Sequence, residues 1–122
     1  MMARILIIED NAGSMELTNY LLRGAGHETI CASNGEAGIE LARAERPHAI
    51  VCDMHMPGLD GREVARRLKS DPATRGIPLI AVTALQAPGD RDQVLAAGFD
   101  DYFTKPIEPQ AIAAHLARVR GS

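Results

Sequence analysis

Ala49-Ile50-Val51-Cys52-Asp53 runs four apolar residues straight into a carboxylate. An unbroken apolar run of this length is what a strand looks like when helices cover both of its faces, because neither face then needs a polar residue at alternate positions. Pro57-Gly58 marks a turn soon after it. Two further stretches repeat the pattern: Ile5-Leu6-Ile7-Ile8 runs into Glu9-Asp10, and Leu79-Ile80-Ala81-Val82 runs into Thr83. These are read as the three central strands of one sheet. Glu28-Thr29-Ile30-Cys31-Ala32 alternates more, and Asp101-Tyr102-Phe103-Thr104 is short and partly polar, as strands at a sheet edge are.

Helical segments are expected between the strands, over about 13–25, 35–45, 61–70, 88–97 and 109–119. In the last, Ile112, Leu116 and Val119 follow the i, i+4, i+7 spacing of one apolar stripe. Pro88 and Pro109 suit first turns, Gly26 and Gly98 suit helix stops, and Asp71-Pro72 ends the third helix. Five strand–helix units joined by right-handed crossovers give a parallel sheet, and the edge assignments favour the order 2-1-3-4-5. The expected fold is α/β: a flavodoxin-like (βα)5 three-layer sandwich.

Composition bounds the function. The chain has 122 residues, 46% hydrophobic and 24% charged, with a net charge of −3. That predicts one globular domain over 1–122, without repeat or linker, able to bury roughly 65% of its unfolded surface. Nothing basic enough to favour nucleic acid is present, and no apolar run approaches a membrane span, so a cytoplasmic protein, monomeric or weakly dimeric, is expected. Cys31 and Cys52 lack metal-ligand spacing and are read as small buried hydrophobes. His27, His48 and His115 have no partner at metal spacing and are read as structural or exposed. Arg62, Arg66, Arg67 and Lys69 read as a solvated basic face of the third helix.

The strand ends carry the chemistry. In an open α/β sheet the crevice lies beyond the carboxyl ends of the strands, where topology gathers residues distant in sequence. With the first and third strands adjacent, about 4.8 Å apart, Asp10 and Asp53 reach one metal ion together. Thr83 stands one strand to the other side, and Lys105 two strands away, about 10 Å, within reach of a long side chain. Hard carboxylate oxygens completed by water and phosphate suit Mg²⁺ better than zinc or iron. An acid after a strand is by itself most often a turn or cap residue; the joint placement of Asp10, Asp53, Thr83 and Lys105 is what points to phosphoryl chemistry.

The segments ILIIEDN (5–11), IVCDMHMPGLDG (50–61), IPLIAVTA (77–84) and DYFTKPI (101–107) resemble the receiver domain of two-component response regulators, in order and over essentially the whole chain. The resemblance implies a signalling phosphoacceptor rather than an enzyme, one that promotes its own phosphorylation and dephosphorylation. It implies that Asp53 takes a phosphoryl group from a histidine kinase or phosphotransfer protein. Asp10 would bind Mg²⁺ directly, Glu9 through water, and the His55 backbone carbonyl would complete the protein ligands with Asp53. Thr83 and Lys105 would hold phosphoryl oxygens, and Lys105-Pro106 is the family's cis-peptide position. Thr83 and Tyr102 would form the switch, with Tyr102 turning inward on phosphorylation and changing the surface offered to a downstream target.

Within that resemblance the expected protein is a stand-alone regulator, with a module excised from a hybrid kinase or larger regulator, or a non-phosphorylated scaffold receiver, as alternatives. His55 and Leu85 flank the expected phosphoryl group; Leu85 cannot hydrogen-bond an attacking water and is expected to slow hydrolysis. Two rival readings fail on the residues. Asp53-x-His55-x-x-Gly58 formally matches a cobalamin-binding signature, but that signature follows a first strand and here it follows the third. An FMN site needs Ser, Thr and free N–H groups in the first loop, where this chain has Glu9 and Asp10.

Overall fold

The computed structural model describes residues 3–56, 58–83, 89–105, 107–108, 110–111 and 114. Along them run β1 (Arg4–Ile8), α1 (Ala12–Gly24), β2 (Glu28–Ala32), α2 (Gly35–Glu45), β3 (Ala49–Asp53), α3 (Gly61–Ser70), β4 (Leu79–Thr83), α4 (Asp90–Ala96) and β5 (Asp101–Thr104). All pairings are parallel, and the strand order is β2-β1-β3-β4-β5. The three apolar runs are therefore central, and the two more polar strands are the edges. The fifth expected helix lies outside the described residues apart from Gln110, Ala111 and Ala114, which are helical. Pro88, Pro109, Ile112, His115, Leu116 and Val119 lie outside them too.

Local chemistry places the helix starts. The Asn11, Asn34 and Asp60 side chains accept from the backbone N–H groups of Ser14, Ala37 and Glu63 at 2.9, 2.8 and 3.1 Å, satisfying donors the first turn leaves open. Gly26 and Gly98, just past α1 and α4, take the positive φ values of 94° and 115° that turn the chain off the helix axis.

Alternation hidden in the continuous apolar runs becomes visible once both faces are covered. Leu6, Ile8, Ile50, Cys52, Leu79 and Ala81 point to one side, against Ile39 and Ala42 of α2, Val64 and Leu68 of α3, and Val94 of α4. Ile5, Ile7, Ala49, Val51, Ile80 and Val82 point to the other, against Leu22 of α1 and Ile107. Strand residues i and i+1 thus serve separate cores, which is why no polar position interrupts them.

One expectation fails. Cys52 is buried, but Cys31 is exposed, because β2 is an edge strand whose residue at that position is left uncovered. The histidines divide: His27 is buried and its Nδ1 accepts the Ala3 N–H at 3.2 Å, whereas His48 is exposed and accepts the Arg4 N–H at 2.8 Å. The basic face of α3 is largely compensated. Arg66 and Arg67 both bond Glu63, pulling its carboxyl down to about 2, and Lys69 bonds Asp100 at 2.9 Å.

Candidate functional site

Register brings the site together. Ile8 pairs with Cys52, so Glu9-Asp10 and Asp53 leave adjacent strands almost side by side. Asp53 pairs with Val82, which puts Thr83 one residue further out, and Thr83 pairs with Thr104, so Lys105 emerges next along the same rim. The Lys105 N–H extends the ladder by donating to the Thr83 carbonyl at 2.8 Å. Four strands thus deliver their residues to one end of the sheet.

The acids converge. Oxygens of Glu9, Asp10 and Asp53 all lie within 4.8 Å of one another, with Glu9 and Asp53 buried and Asp10 exposed. Opposite oxygens of an octahedral Mg²⁺ shell are about 4.2 Å apart, so an all-oxygen trio with one solvent-facing member fits that ion, leaving room for water. Asp53 Oδ1 accepts the His55 N–H at 3.2 Å, which orients the carboxylate. The α3 terminus packs hard against this strand end: a Cβ on Gly61 would stand 2.9 Å from the Asp53 carbonyl oxygen and from the Met54 Cα.

Lys105 closes the gap that the strand spacing leaves. Its ammonium lies 3.7 Å from Asp53 Oδ2 and 2.6 Å from Glu9 Oε1, crossing the width of three strand spacings to reach β1's acid. Burial pushes the Glu9 carboxyl above the usual carboxylate range; the Lys105 hydrogen bond opposes that rise and nearby Asp53 adds to it. Three carboxylates and one ammonium leave the cluster short of positive charge, the condition a divalent cation relieves.

Thr83 is buried and shares a cavity of about 30 Å³, the scale of one water, with His55, Arg62, Gln93 and Tyr102. Tyr102 is itself buried and lines the same cavity as Thr83. Leu85 and Pro106 lie outside the described residues. Two features were not anticipated: the direct Glu9–Lys105 pair, and Ser14, whose hydroxyl lies 3.4 Å from the Lys105 ammonium. The local sequence carries no signal for Ser14, which lies in the first turn of α1, beyond the strand end that delivers Asp10.

Residues 5–117 match the response regulator receiver domain family. The chain belongs to that family. Among relatives of this receiver domain, the response regulator PleD of Caulobacter vibrioides is 40% identical over 120 residues, which cover 98% of this chain and 26% of PleD. The chain thus spans about a quarter of that protein's length. The polar-differentiation response regulator DivK of Brucella anthropi is 41% identical over 103 residues, 84% of each chain. Among solved structures, the receiver domain of the Pseudomonas aeruginosa PAO1 sensor histidine kinase PA1611 is 32% identical, covers 100% of both chains and superposes with a TM-score of 0.86; it holds a magnesium ion coordinated in its active-site cleft. Receiver domains are signalling modules that interact with histidine kinases, and such domains bind magnesium at an acidic site.

Proposed function

We propose that Asp53 accepts a phosphoryl group from a phosphohistidine donor in a Mg²⁺-dependent reaction, and that this switches a protein-interaction surface. The observation that carries the proposal is the convergence on one buried carboxylate of two further acids and an ammonium, from strands far apart in sequence. An anionic nucleophile repels an anionic phosphoryl group, and positive charge is what makes their approach possible. Glu9, Asp10, Asp53 and the His55 carbonyl would hold the ion, which supplies that counter-charge when bound. Lys105, whose ammonium lies 3.7 Å from Asp53 Oδ2, supplies the rest.

In the transfer an Asp53 oxygen forms a bond to phosphorus as the donor's N–P bond breaks, and the released imidazole keeps the electron pair and takes a proton. In the discharge, a water oxygen forms a bond to phosphorus as the Asp53 O–P bond breaks, leaving free phosphate, a released proton and the original carboxylate. No further catalytic group is required, because phosphoryl transfer asks mainly for positioning and charge neutralisation. The new oxygens on Asp53 offer acceptors to the Thr83 hydroxyl and the Lys105 ammonium. Thr83 shares its cavity with Tyr102 and with Gln93 of α4, so its displacement is the route by which β5 and α4 would respond.

On this reading the receiver unit occupies residues 1–122, acts in the cytoplasm, and exchanges phosphoryl groups with a histidine kinase or phosphotransfer protein before engaging a downstream protein. Among the described residues no helix is long and apolar enough to cross a membrane. The test is labelling by acetyl phosphate with and without Mg²⁺, followed by mass spectrometry. The expected result is one phosphate, on Asp53, lost in Asp53→Asn and after chelation. Phosphate on another residue, or labelling indifferent to chelator, would sink the proposal.

A further inference from the structure

The Lys105 ammonium has three protons to donate, and the described residues offer it three acceptors. Glu9 Oε1 is at 2.6 Å, Asp53 Oδ2 at 3.7 Å and Ser14 Oγ at 3.4 Å. The first two are anions on the metal side of the site. Ser14 alone is neutral, and it comes from α1 rather than from the sheet. Left to the carboxylates, the ammonium is drawn toward Glu9, the nearer one, and its distance from the acceptor is set by whatever charge the acids carry. A neutral acceptor from α1 holds it whether or not a cation shares those acids.

We infer that Ser14 is a positioning residue for Lys105, its hydroxyl accepting one ammonium proton and so holding the charge between Glu9 and Asp53. The inference rests on the proposed role of Asp53 as acceptor. Three observations separate it from an ordinary helix-terminal serine. The cap of α1 is the Asn11 side chain, which takes the backbone N–H of Ser14 at 2.9 Å, so the hydroxyl is not needed to start the helix. That same bond fixes the backbone from which the hydroxyl projects. Ser14 is half-buried and the Lys105 side chain is only 19% exposed, which limits competition from water for their contact.

Because the cap uses the backbone, Ser14→Ala leaves it intact, and alanine is the better helix former. Loss of function in that variant is therefore not loss of α1. With the full chain, Mg²⁺ and acetyl phosphate, the saturating phosphorylation rate of Ser14→Ala is expected to fall roughly three- to tenfold, the worth of one weak hydrogen bond to a charged group. The half-saturating donor concentration and the melting temperature should be unchanged. Ser14→Thr, which keeps the hydroxyl, should restore the rate.

A second measurement does not depend on phosphorylation. The two Lys105 ε-methylene protons are expected to be inequivalent by NMR in the wild type, as in a held side chain, and averaged in Ser14→Ala. A wild-type rate with an unchanged Lys105 signal in Ser14→Ala would overturn the inference, as would a rate loss that Ser14→Thr fails to rescue. Should the wild type itself take no phosphate on Asp53, the acceptor reading fails, and the Lys105 signal alone then decides whether Ser14 holds the lysine.

Discussion

Asp10 and Asp53 are both strand-end carboxylates, yet their surroundings divide the work between them. Asp53 is buried and oriented by the His55 amide, whereas Asp10 faces solvent and makes the open side of the acidic trio. Asp10→Ala should therefore lower Mg²⁺ affinity at least about tenfold while leaving the fold intact, since an exposed side chain contributes little to stability. Titration calorimetry reads the first and thermal melting the second; unchanged affinity would remove Asp10 from the ion's shell. Lys105→Gln should do the reverse for the metal, tightening Mg²⁺ binding because the ammonium now on Glu9 no longer competes, while slowing phosphorylation by about tenfold or more. Metal binding that weakens in Lys105→Gln would show that Lys105 and the cation do not share Glu9.

At the level of elements, the junction of β3 with α3 is the most constrained place near the site. Gly61 opens α3 with no room for a Cβ, because the Asp53 carbonyl oxygen and the Met54 Cα would both stand 2.9 Å away. Backbone on both sides cannot yield as a side chain can. Gly61→Ala should cost about 1–3 kcal/mol by overpacking and also slow phosphorylation, since the strain falls on the acceptor's own residue. The denaturant midpoint checks the first and labelling the second. A stability loss with no change in labelling would mean that the acceptor's backbone does not move with α3. By contrast, Asn34→Ala, which removes the side-chain cap of α2 and no contact with Asp53, should cost about 1 kcal/mol and leave labelling untouched.

For the whole molecule, acid stability and switching draw on opposite ends of the sheet. His27 sits at the amino end, buried, with Nδ1 accepting the Ala3 N–H, and burial holds its pKa below the ordinary 6.5. A depressed histidine stays neutral when folded and protonates first in the unfolded chain, so its contribution is full above pH 6.5 and is lost as pH falls below that value toward the folded pKa. The unfolding midpoint should drop between about pH 7 and 5, and His27→Gln should flatten that part of the profile; an equally steep profile in the variant would assign the loss to other groups. Switching belongs to the carboxyl end. A beryllofluoride mimic should shift amides over residues 84–110 more than those over 28–45, because the cavity that Thr83 lines is shared with Gln93 and Val94 of α4 and Tyr102 of β5 and with no residue of α2. Equal shifts across both regions would argue against that route.

What the chain determined by itself was pattern. The three apolar runs, their polar-ended partners and the acids that close them specified parallel strands, their central or edge position and the order 2-1-3-4-5, because burial on two faces leaves a local signature in composition. The gathering of Glu9, Asp10, Asp53, Thr83 and Lys105 at one rim followed from that order. Contacts between side chains from different elements were decided only in three dimensions. That Lys105 rests on Glu9, that Ser14 stands within reach of its ammonium, that Tyr102 is buried and that Cys31 is uncovered while Cys52 is not all depend on register, on reach across neighbouring strands and on which helix covers which residue. Such contacts join positions as far apart as Ser14 and Lys105, and nothing in the local sequence of either states where the other will be.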